Sequence, residues 1–362
     1  MKETAISHIH NALGAKMVDF AGFLMPVTYK GINEEHLKVR SDVGIFDVSH
    51  MGEFYITGKQ AADLVQYVTS NDVTKLTDGK IQYSCLPNEM GGIIDDLLVY
   101  RISEEEYLLV VNASNIEKDK AWILKNNKFD AKLTDRSDGM SLFAVQGPKT
   151  SEALQSLTET NLSEMKYYTF EHDTFAGVED VLISATGYTG AGGFEIYMPN
   201  DKAEIIWKAI MAAGESCGIE PIGLAARDTL RLEMGFCLYG NDIDDTTSPL
   251  EAGLGWITKF NGEFINSRNL AYQKEKGVGR KLVGFELLDR GIPRKDYVLL
   301  SDTNEEIGVV TSGTMSPCLE KGIGLGYVRP EFAKTGTEIG VQVRNRTLKA
   351  KVVKLPFYKA DK

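Results

Sequence analysis

Cysteine is scarce in this sequence, and the few that occur are widely separated. No C-x-x-C pair is present among Cys85, Cys217, Cys237 and Cys318. This pattern is typical of reduced, mostly buried thiols in a cytosolic protein and excludes a conventional zinc or iron–sulfur site, so we expect no metal. No apolar run is long enough to cross a membrane. Because the N-terminus also lacks the apolar core of a signal peptide, we expect a soluble, cytoplasmic protein.

Basic residues are outnumbered by acidic ones. The 40 Lys and Arg against 51 Asp and Glu give a formal net charge of −11. This balance argues against a general nucleic-acid-binding protein, which needs a broad basic surface, and leaves any anionic ligand to a local basic pocket. Three motifs are missing as well: the G-x-G-x-x-G dinucleotide fingerprint, the G-x-S-x-G elbow of serine hydrolases and the H-E-x-x-H element of zinc proteases.

The length of 362 residues exceeds one typical domain, and changes in the strand and helix patterns along the sequence predict three domains. Up to about Gly277, strand and helix patterns are mixed without strict alternation, which favours open α+β sandwiches over a parallel sheet. The clearest predicted elements are strands at Ile81–Leu86, Ile93–Ile102, Tyr107–Asn112, Ser141–Gly147 and Val181–Thr186, and helices at Lys202–Ala213 and Gly223–Met234. Beyond Gly277, short alternating segments broken by glycine and proline predict a small all-β barrel or jelly roll.

The decapeptide Gly91–Tyr100 reads G-G-I-I-D-D-L-L-V-Y and places two adjacent carboxylates inside an apolar run. Such a run after a glycine turn predicts a strand buried on both faces. Successive side chains of a strand point to opposite faces, so Asp95 and Asp96 cannot share one role. A buried carboxylate gains partners, shifts its pKa or is retained for chemistry. The alternative is that both aspartates cap the preceding turn, Glu89–Gly92.

A glycine-rich segment, Gly187–Gly193, joins two predicted strands. It lacks the helix N-terminus or Lys-Ser/Thr pair of a phosphate cradle, so a wide hairpin whose glycines take positive φ is expected. Glu195 follows it, flanked by Phe194 and Ile196. Its carboxylate could accept hydrogen bonds from two parallel N–H groups of a ligand, or it could simply lie on the surface of the sheet.

Other polar residues are ambiguous in the same way. Arg227 and Arg231 lie four residues apart on a predicted helix, which on its own indicates no more than a surface pair bridging nearby acids. His50 and Asp47 could form an acid–base pair, but a structural hydrogen bond between them is the favoured interpretation. The irregular segment that follows Met234 contains acids and aromatics without periodicity and predicts a functional loop.

Six motifs, taken together and in order, resemble those of the aminomethyltransferase (T protein) family of the glycine cleavage system. They are F-D-V-S-H-M, N-E-M-G-G-I-I-D-D-L-L-V-Y, A-V-Q-G-P, G-Y-T-G, G-L-A-A-R-D-T-L-R-L-E and L-Y-G-N-D-I-D. The resemblance runs from about Ala15 to the C-terminal P-F-Y-K. A sister family of folate-binding proteins carries K-G-C-Y-x-G-Q-E, whereas the region around Cys237 reads G-F-C-L-Y-G-N-D-I-D, so that signature is missing.

The resemblance implies an α+β fold of three domains arranged as a cloverleaf. Two ferredoxin-like or related α+β units and a C-terminal, jelly-roll-like β-barrel would surround a central channel that holds tetrahydrofolate. The first domain would be discontinuous and comprise residues 1–52 plus 138–245. Residues 53–137 would form an inserted α+β domain, and residues 246–362 the linker and the barrel.

The resemblance also implies a reaction and a partner. Family members transfer the methylene carbon of an aminomethyl group, carried on the lipoyl arm of the H protein, to tetrahydrofolate; ammonia is released and 5,10-methylenetetrahydrofolate forms. Two alternatives stay open on the sequence alone. One is a folate-dependent demethylase of a small methyl donor, and the other is a non-catalytic folate-binding regulator. None of these activities calls for nucleic acid or a membrane.

Individual residues acquire roles from the same resemblance. The catalytic carboxylate of the family falls on Asp96, where an anion beside folate N5 can stabilise positive charge and steer a proton. The carboxylate that holds the pterin edge falls on Glu195, and the arginine of the folate site falls on Arg227. The further positions expected to line the folate site are Tyr83, Tyr100, Asn112, Tyr188, Met51 and Trp256.

Overall fold

This computed structural model describes residues 1–360, which form short strands and helices. The strands are β1 (Lys2–Glu3), β2 (Lys16–Phe20), β3 (Phe23–Thr28), β4 (Gly44–Asp47), β5 (Gly52–Thr57), β6 (Lys80–Pro87), β7 (Ile93–Ser103), β8 (Glu106–Val111), β9 (Lys132–Asp135), β10 (Met140–Gln146), β11 (Phe170–Phe175), β12 (Val178–Ser184), β13 (Gly193–Pro199), β14 (Glu220–Pro221), β15 (Lys281–Leu287), β16 (Val298–Leu300), β17 (Glu306–Met315), β18 (Gly322–Val328), β19 (Glu338–Val343) and β20 (Arg346–Val353). The α-helices are α1 (Ser7–Ala12), α2 (Ile32–Ser41), α3 (Ala61–Val68), α4 (Ile116–Asn126), α5 (Thr150–Leu154), α6 (Ala203–Ala213), α7 (Leu224–Met234) and α8 (Ser267–Lys276).

These elements form two compact units. The first unit comprises Met1–Val65, Val73–Tyr83 and Leu97–Asp228, and the second comprises Gln66–Asp72, Ser84–Asp96 and the chain from Thr229 onward. The division into three domains, with boundaries near residues 52, 137 and 245, stays a prediction. Among the described residues, no helix has both the length and the apolar character needed to cross a membrane.

The main sheet of the first unit has six strands in the order β11-β12-β13-β10-β4-β14. Its central strand, β10, is buried along almost its entire length because it is paired on both edges and covered. Helix α6 carries apolar residues at helical spacing, and its Ile206, Trp207 and Ile210 join the core that contains Phe143 and Val145 of β10. The sheet thus presents β12 and β13 as a rigid antiparallel pair for side chains at its surface.

A second sheet has the order β6-β7-β8-β5-β9, in which β8 and β9 flank β5 in antiparallel fashion. The sequence correctly predicted the strands at Ile81–Leu86, Ile93–Ile102 and Tyr107–Asn112 to within a few residues. It did not predict the small sheet β1-β3-β2 near the N-terminus. Strands β1 and β2 are short and largely exposed, and β3 has its two buried residues side by side, so the alternation that identifies a half-buried strand is weak in this sheet.

The second unit contains a closed barrel in the order β15-β18-β17-β16-β19-β20. Its interior is filled by side chains such as Phe285, Leu299 and Val341. The predicted C-terminal all-β barrel is therefore confirmed, together with the mixed α+β fold class. Helix α8, just before the barrel, was missed because only Leu270 of its ten residues is buried, so its sequence shows almost no apolar periodicity.

Candidate functional site

Glu195 lies at the centre of the candidate site in the first unit. It is opposite Ser184 of β12, and its Oε2 accepts a 2.5 Å hydrogen bond from the Thr186 hydroxyl. Burial raises the pKa of Glu195 above its ordinary value, while this hydrogen bond and the charge of Arg227 act in the opposite direction. The Thr186 hydroxyl thus holds Oε2, and the residue as a whole is half-buried, so the protein does not fully enclose its carboxylate.

A chain of buried hydroxyl groups continues inward from Glu195. The Thr186 hydroxyl lies 2.7 Å from that of Ser184, which lies 3.1 Å from the Tyr100 hydroxyl. Tyr100 is in turn 2.9 Å from the hydroxyl of Tyr197. Each hydroxyl can donate and accept, so the chain can fix the direction in which Thr186 donates its proton to Glu195.

Tyr100 is fully buried in this chain, so it supports Glu195 from within the protein. The roles of the other three hydroxyl groups were not predicted from the sequence. A signal was available, because Ser184 and Thr186 stand two residues apart at the end of one strand, as do Glu195 and Tyr197 on its partner. Such spacing places side chains on the same face.

Arg227 occupies the first turn of α7, and its guanidinium lies 4.6 Å from the centre of the Tyr188 ring. At that distance the cation is attracted to the face of the ring. Its charge also contributes to the pKa of Glu195, so the two groups are electrostatic neighbours. Glu195, Arg227, Tyr188 and Tyr100, which the sequence analysis selected, are thus brought together.

The start of α7 is held by a buried carboxylate on α2. Glu35 Oε2 accepts a 2.7 Å hydrogen bond from the backbone N–H of Gly223, the residue before the helix. Its Oε1 accepts from the backbone N–H groups of Tyr29, Lys30 and Gly31 at 2.7, 2.9 and 3.0 Å. Because Glu35 is fully buried, these bonds are shielded from water and fix where the helix of Arg227 begins.

The predicted hydrogen bond between His50 and Asp47 is wrong. Asp47 instead pairs with His10, whose Nε2 lies 2.9 Å from its Oδ2, and both side chains are fully buried. Burial and the positive charge of Arg227 lower the pKa of His50 to about 3, so its imidazole is neutral at physiological pH. A neutral imidazole of such low basicity is a poor general acid or base.

The glycine-rich segment forms the predicted wide hairpin between β12 and β13. Gly190, Gly192 and Gly193 take positive φ. The buried side chain of Gln146 organises the hairpin from below: its Nε2 donates to the carbonyl oxygens of Val145, Thr186 and Phe194, and its Oε1 accepts from the Thr189 hydroxyl. A Cβ atom at Gly187 would collide with this carboxamide, which explains the glycine there.

Asp96 belongs to the second unit, on β7. The side chain of Asp95 is fully buried, whereas Asp96 is half-buried, so the two point to different surroundings as strand alternation requires. The turn before the strand is closed by Asn88, whose Oδ1 accepts from the backbone N–H groups of Met90 and Gly92 at 2.9 Å each. A capping role for the aspartates is therefore not needed to explain the turn.

Two buried thiols lie close enough to Asp96 to respond to its charge. Burial raises the pKa of Cys85 well above its ordinary value, and Asp96 raises it further. Burial likewise raises the pKa of Cys237, with additional contributions from Asp242 and Asp96. Both thiols stay protonated at physiological pH, so they add no negative charge beside the carboxylate.

The remaining residues predicted for the folate site are not part of the group of contacts around Glu195 described above. Tyr83 lies on β6, Asn112 directly follows β8, and Met51 lies in the turn between β4 and β5; all three are half-buried. Trp256 belongs to the second unit and is 58% exposed. An aromatic residue that the sequence analysis missed, Tyr167, is 59% exposed and lies near the carboxylate of Glu195.

Two protein-family models match the chain. The GCVT N-terminal domain matches residues 6–262, and the glycine cleavage T-protein C-terminal barrel domain matches residues 280–359. The second match corresponds to the closed barrel described above.

Named relatives match over almost the full length. A protein of Flavobacterium psychrophilum named aminomethyltransferase is 61% identical over 359 residues, which is 99% of this chain and 100% of the relative. One of Bacteroides thetaiotaomicron with the same name is 62% identical over 361 residues, again 99% and 100%. The crystal structure of glycine cleavage system aminomethyltransferase T from Bartonella henselae matches with a TM-score of 0.92 and 34% identity, covering 99% of this chain and 98% of that one.

Proposed function

The chain belongs to the glycine cleavage T-protein family and is an aminomethyltransferase, and we propose that it delivers the one-carbon unit from lipoylated H protein to tetrahydrofolate. The two family models together span most of the sequence, and the named relatives agree with each other. The donor, the acceptor, a cytoplasmic setting and the roles of individual residues are part of this proposal.

The proposed chemistry replaces two bonds of the methylene carbon. The aminomethyl carbon is attached to sulfur of the lipoyl arm and to nitrogen. Its C–N bond breaks as the amino group takes up a proton and leaves as ammonia, and folate N5 bonds to the resulting sulfur-stabilised cationic carbon and loses its own proton. Folate N10 then displaces the sulfur and gives up its proton, and the sulfur is protonated to return the arm to its reduced form. Holding the arm and N5 in register would supply much of the acceleration.

Asp96 is the proposed catalytic residue. The observation that carries this assignment is its position on β7, where it is half-buried while its neighbours Asp95 and Leu97 are buried. Its carboxylate is therefore accessible to a ligand and yet only partly hydrated. In such surroundings an anion stabilises a developing cation more strongly than it would in bulk water.

Glu195 and Arg227 are proposed to bind the pterin. The 2-amino group and N3–H of a pterin form two parallel donors, which a carboxylate accepts well. The bond from Thr186 to Oε2 and the nearby guanidinium favour the ionised form of Glu195 against its burial. Tyr83, Asn112, Tyr188, Met51 and Trp256 are proposed to complete the folate site, with Tyr100 as a buried support.

The proposal is tested by following methylenetetrahydrofolate formation from glycine in the presence of the other cleavage-system proteins. We expect Asp96→Asn to lower kcat by at least about 100-fold with little change in folate affinity, since it removes charge at the reacting carbon. We expect Glu195→Gln to raise the KM for tetrahydrofolate by about tenfold or more, since charge-assisted hydrogen bonds are lost.

Matched controls use exposed residues. Asp302→Asn in a barrel turn and Glu171→Gln on β11 make the same chemical changes at the surface and should leave both constants unchanged. If Asp96→Asn retained full turnover, the catalytic assignment would be wrong. An unchanged folate KM in Glu195→Gln would remove the pterin assignment.

A further inference from the structure

The irregular loop of residues 238–247, here called the clip loop, is held rigidly within the second unit. Asp242 is fully buried, and its carboxylate accepts hydrogen bonds from Arg231 at 2.7 Å, from Ser312 at 3.0 Å and from the backbone N–H of Leu238 at 2.9 Å. The Tyr327 hydroxyl donates to the backbone oxygen of Asp242 at 2.7 Å. Ser312 and Tyr327 lie on barrel strands, so the loop is anchored to the barrel.

The clip loop in turn holds the beginning of β7. The Tyr239 hydroxyl donates to the carbonyl oxygen of Ile93 at 3.0 Å, and the N–H of Ile93 donates to the carbonyl oxygen of Asp244 at 3.0 Å. Both backbone polar groups of Ile93 are thus bound by the loop.

The turn before β7 meets the same loop. Asn88 Nδ2 donates to the carbonyl oxygen of Asp245 at 2.8 Å. A Cβ atom at Gly92 would collide with that oxygen, so the two backbones pass at a distance that only glycine allows. The turn and the clip loop therefore form one closely fitted pair.

We propose that Tyr239 is a positioning residue for Asp96, acting through the backbone of β7. This inference rests on the proposed catalytic role of Asp96. Ile93 lies three residues, or about 10 Å, before Asp96 along the strand. A strand is stiff over such a length, so a shift or twist at Ile93 is passed on to the Asp96 carboxylate. The clip loop also follows Cys237, which responds to the charge of Asp96, so the segment runs alongside the strand.

Removal of the Tyr239 hydroxyl should affect catalysis because reaction rates depend strongly on how the catalytic group is aligned with the reacting atoms. Removing the Tyr239 hydroxyl deletes its 3.0 Å hydrogen bond to the carbonyl oxygen of Ile93 and a longer one, 3.4 Å, to the Asp245 carboxylate at the surface, a modest loss for the stability of the fold. The same deletion removes a hydrogen bond from the carbonyl oxygen of Ile93. The Asp96 carboxylate can then shift by tenths of an ångström, and such a misalignment with the reacting atoms lowers the rate. The substitution should therefore lower kcat markedly while it changes the free energy of unfolding only slightly.

Tyr239→Phe tests this inference, with Tyr272→Phe as the matched control. Tyr272 is in the same unit, on α8, and is 63% exposed. We expect Tyr239→Phe to lower kcat by about five- to tenfold and to leave the KM for tetrahydrofolate within about twofold, because the lost hydrogen bond positions the catalytic group and not the pterin. Tyr272→Phe should keep the native kcat.

Amide hydrogen exchange provides a second measurement that does not depend on activity. In Tyr239→Phe, exchange at Gly92 and Ile93 should become faster, while exchange in β18 of the barrel stays native. Native kcat in Tyr239→Phe, unchanged exchange at Ile93, or an equal loss in kcat and folate affinity would each overturn the inference.

The outcome for Asp96→Asn separates this inference from the function it rests on. If Asp96→Asn is inactive while Tyr239→Phe is native, only the positioning role fails. If Asp96→Asn is fully active, the catalytic assignment fails, and the positioning role fails with it.

Discussion

Glu53 shows how a single buried group can affect stability without a place in the proposed reaction. It lies on β5, is 1% exposed, and neither of its carboxylate oxygens has a hydrogen-bond partner within residues 1–360. Burial raises the pKa of Glu53 well above its ordinary value, and the charge of Asp135 adds to the effect. The folded protein therefore keeps this carboxyl group protonated, as expected for an acid removed from water without a partner.

The sign of the pH dependence follows directly. Above about pH 4.3 the carboxyl group ionises in the unfolded chain but not in the folded one, so the free energy of unfolding falls by about 1.4 kcal/mol per pH unit until the folded pKa is reached. Glu53→Gln removes this proton linkage. We expect the variant to be more stable than the native protein, by an amount that grows as the pH rises above about 4.3 towards the raised pKa of the folded state.

Urea unfolding at several pH values measures this difference. The exposed Glu104→Gln serves as the control and should follow the native profile. A constant difference between Glu53→Gln and the native protein across this pH range would show that Glu53 is ionised in the folded state.

At the scale of elements, helix α7 owes its position to the side chain of Glu35. Its four backbone hydrogen bonds join the loop before α2 to the residue before α7. Three of them satisfy N–H groups of consecutive residues, which would be costly to bury without acceptors. The helix that carries Arg227 is therefore registered by a contact far from it in sequence.

Glu35→Gln should weaken both the fold and the folate site. The amide replaces one acceptor oxygen by an N–H₂ group that faces backbone donors, so we expect a loss of about 2 kcal/mol in the free energy of unfolding. Because α7 loses its anchor at Gly223, the KM for tetrahydrofolate should rise by several fold. Chemical unfolding and steady-state kinetics measure the two effects.

Glu34→Gln is the matched control, since Glu34 is on the same helix, its side chain is 63% exposed, and its contact to Lys30 is long, at 3.8 Å. It should leave both quantities unchanged. Native stability in Glu35→Gln would contradict the anchoring role of this carboxylate.

The elements also show what the sequence could and could not predict. Strands such as β7 and β8 were predicted because long apolar runs have few alternatives. Helix α8 and the strands β1 and β2 were missed because few of their side chains are buried. The link between Glu35 and Gly223 spans 188 residues and has no local signal. The pairing of Asp47 with His10, in place of His50, was missed for the same reason.

At the scale of the whole molecule, the order of short motifs identified the family where no single motif sufficed. The family models and named relatives cover nearly the full sequence, so the activity was predictable. The groups that support Glu195 were not predictable from the sequence. Tyr197 and Ser184 look like ordinary strand residues, and only the folded sheet places their hydroxyl groups behind Glu195. With a net charge of −11, a partner is expected to be recognised locally and not through the overall field.

The whole protein is expected to accept its one-carbon unit from a carrier protein and not from a small free donor. Lipoylated H protein carrying the aminomethyl group should support methylenetetrahydrofolate formation, and H protein without the lipoyl arm should not, because the methylene carbon must be bound to its sulfur. Sarcosine or dimethylglycine should give no product. Turnover with these small donors at a rate comparable to that with H protein would favour the demethylase alternative.

The carboxamide of Gln146 has a consequence for which mutations this protein can accept. Its nitrogen faces three carbonyl oxygens, and its oxygen faces one hydroxyl group. A single-nucleotide change in a glutamine codon gives glutamate, which would set an anion against those carbonyls. The same product arises spontaneously when an ageing amide deamidates. Glutamate at position 146, whether it arises by mutation or by deamidation, would therefore repel the carbonyl oxygens that hold the hairpin before Glu195 together.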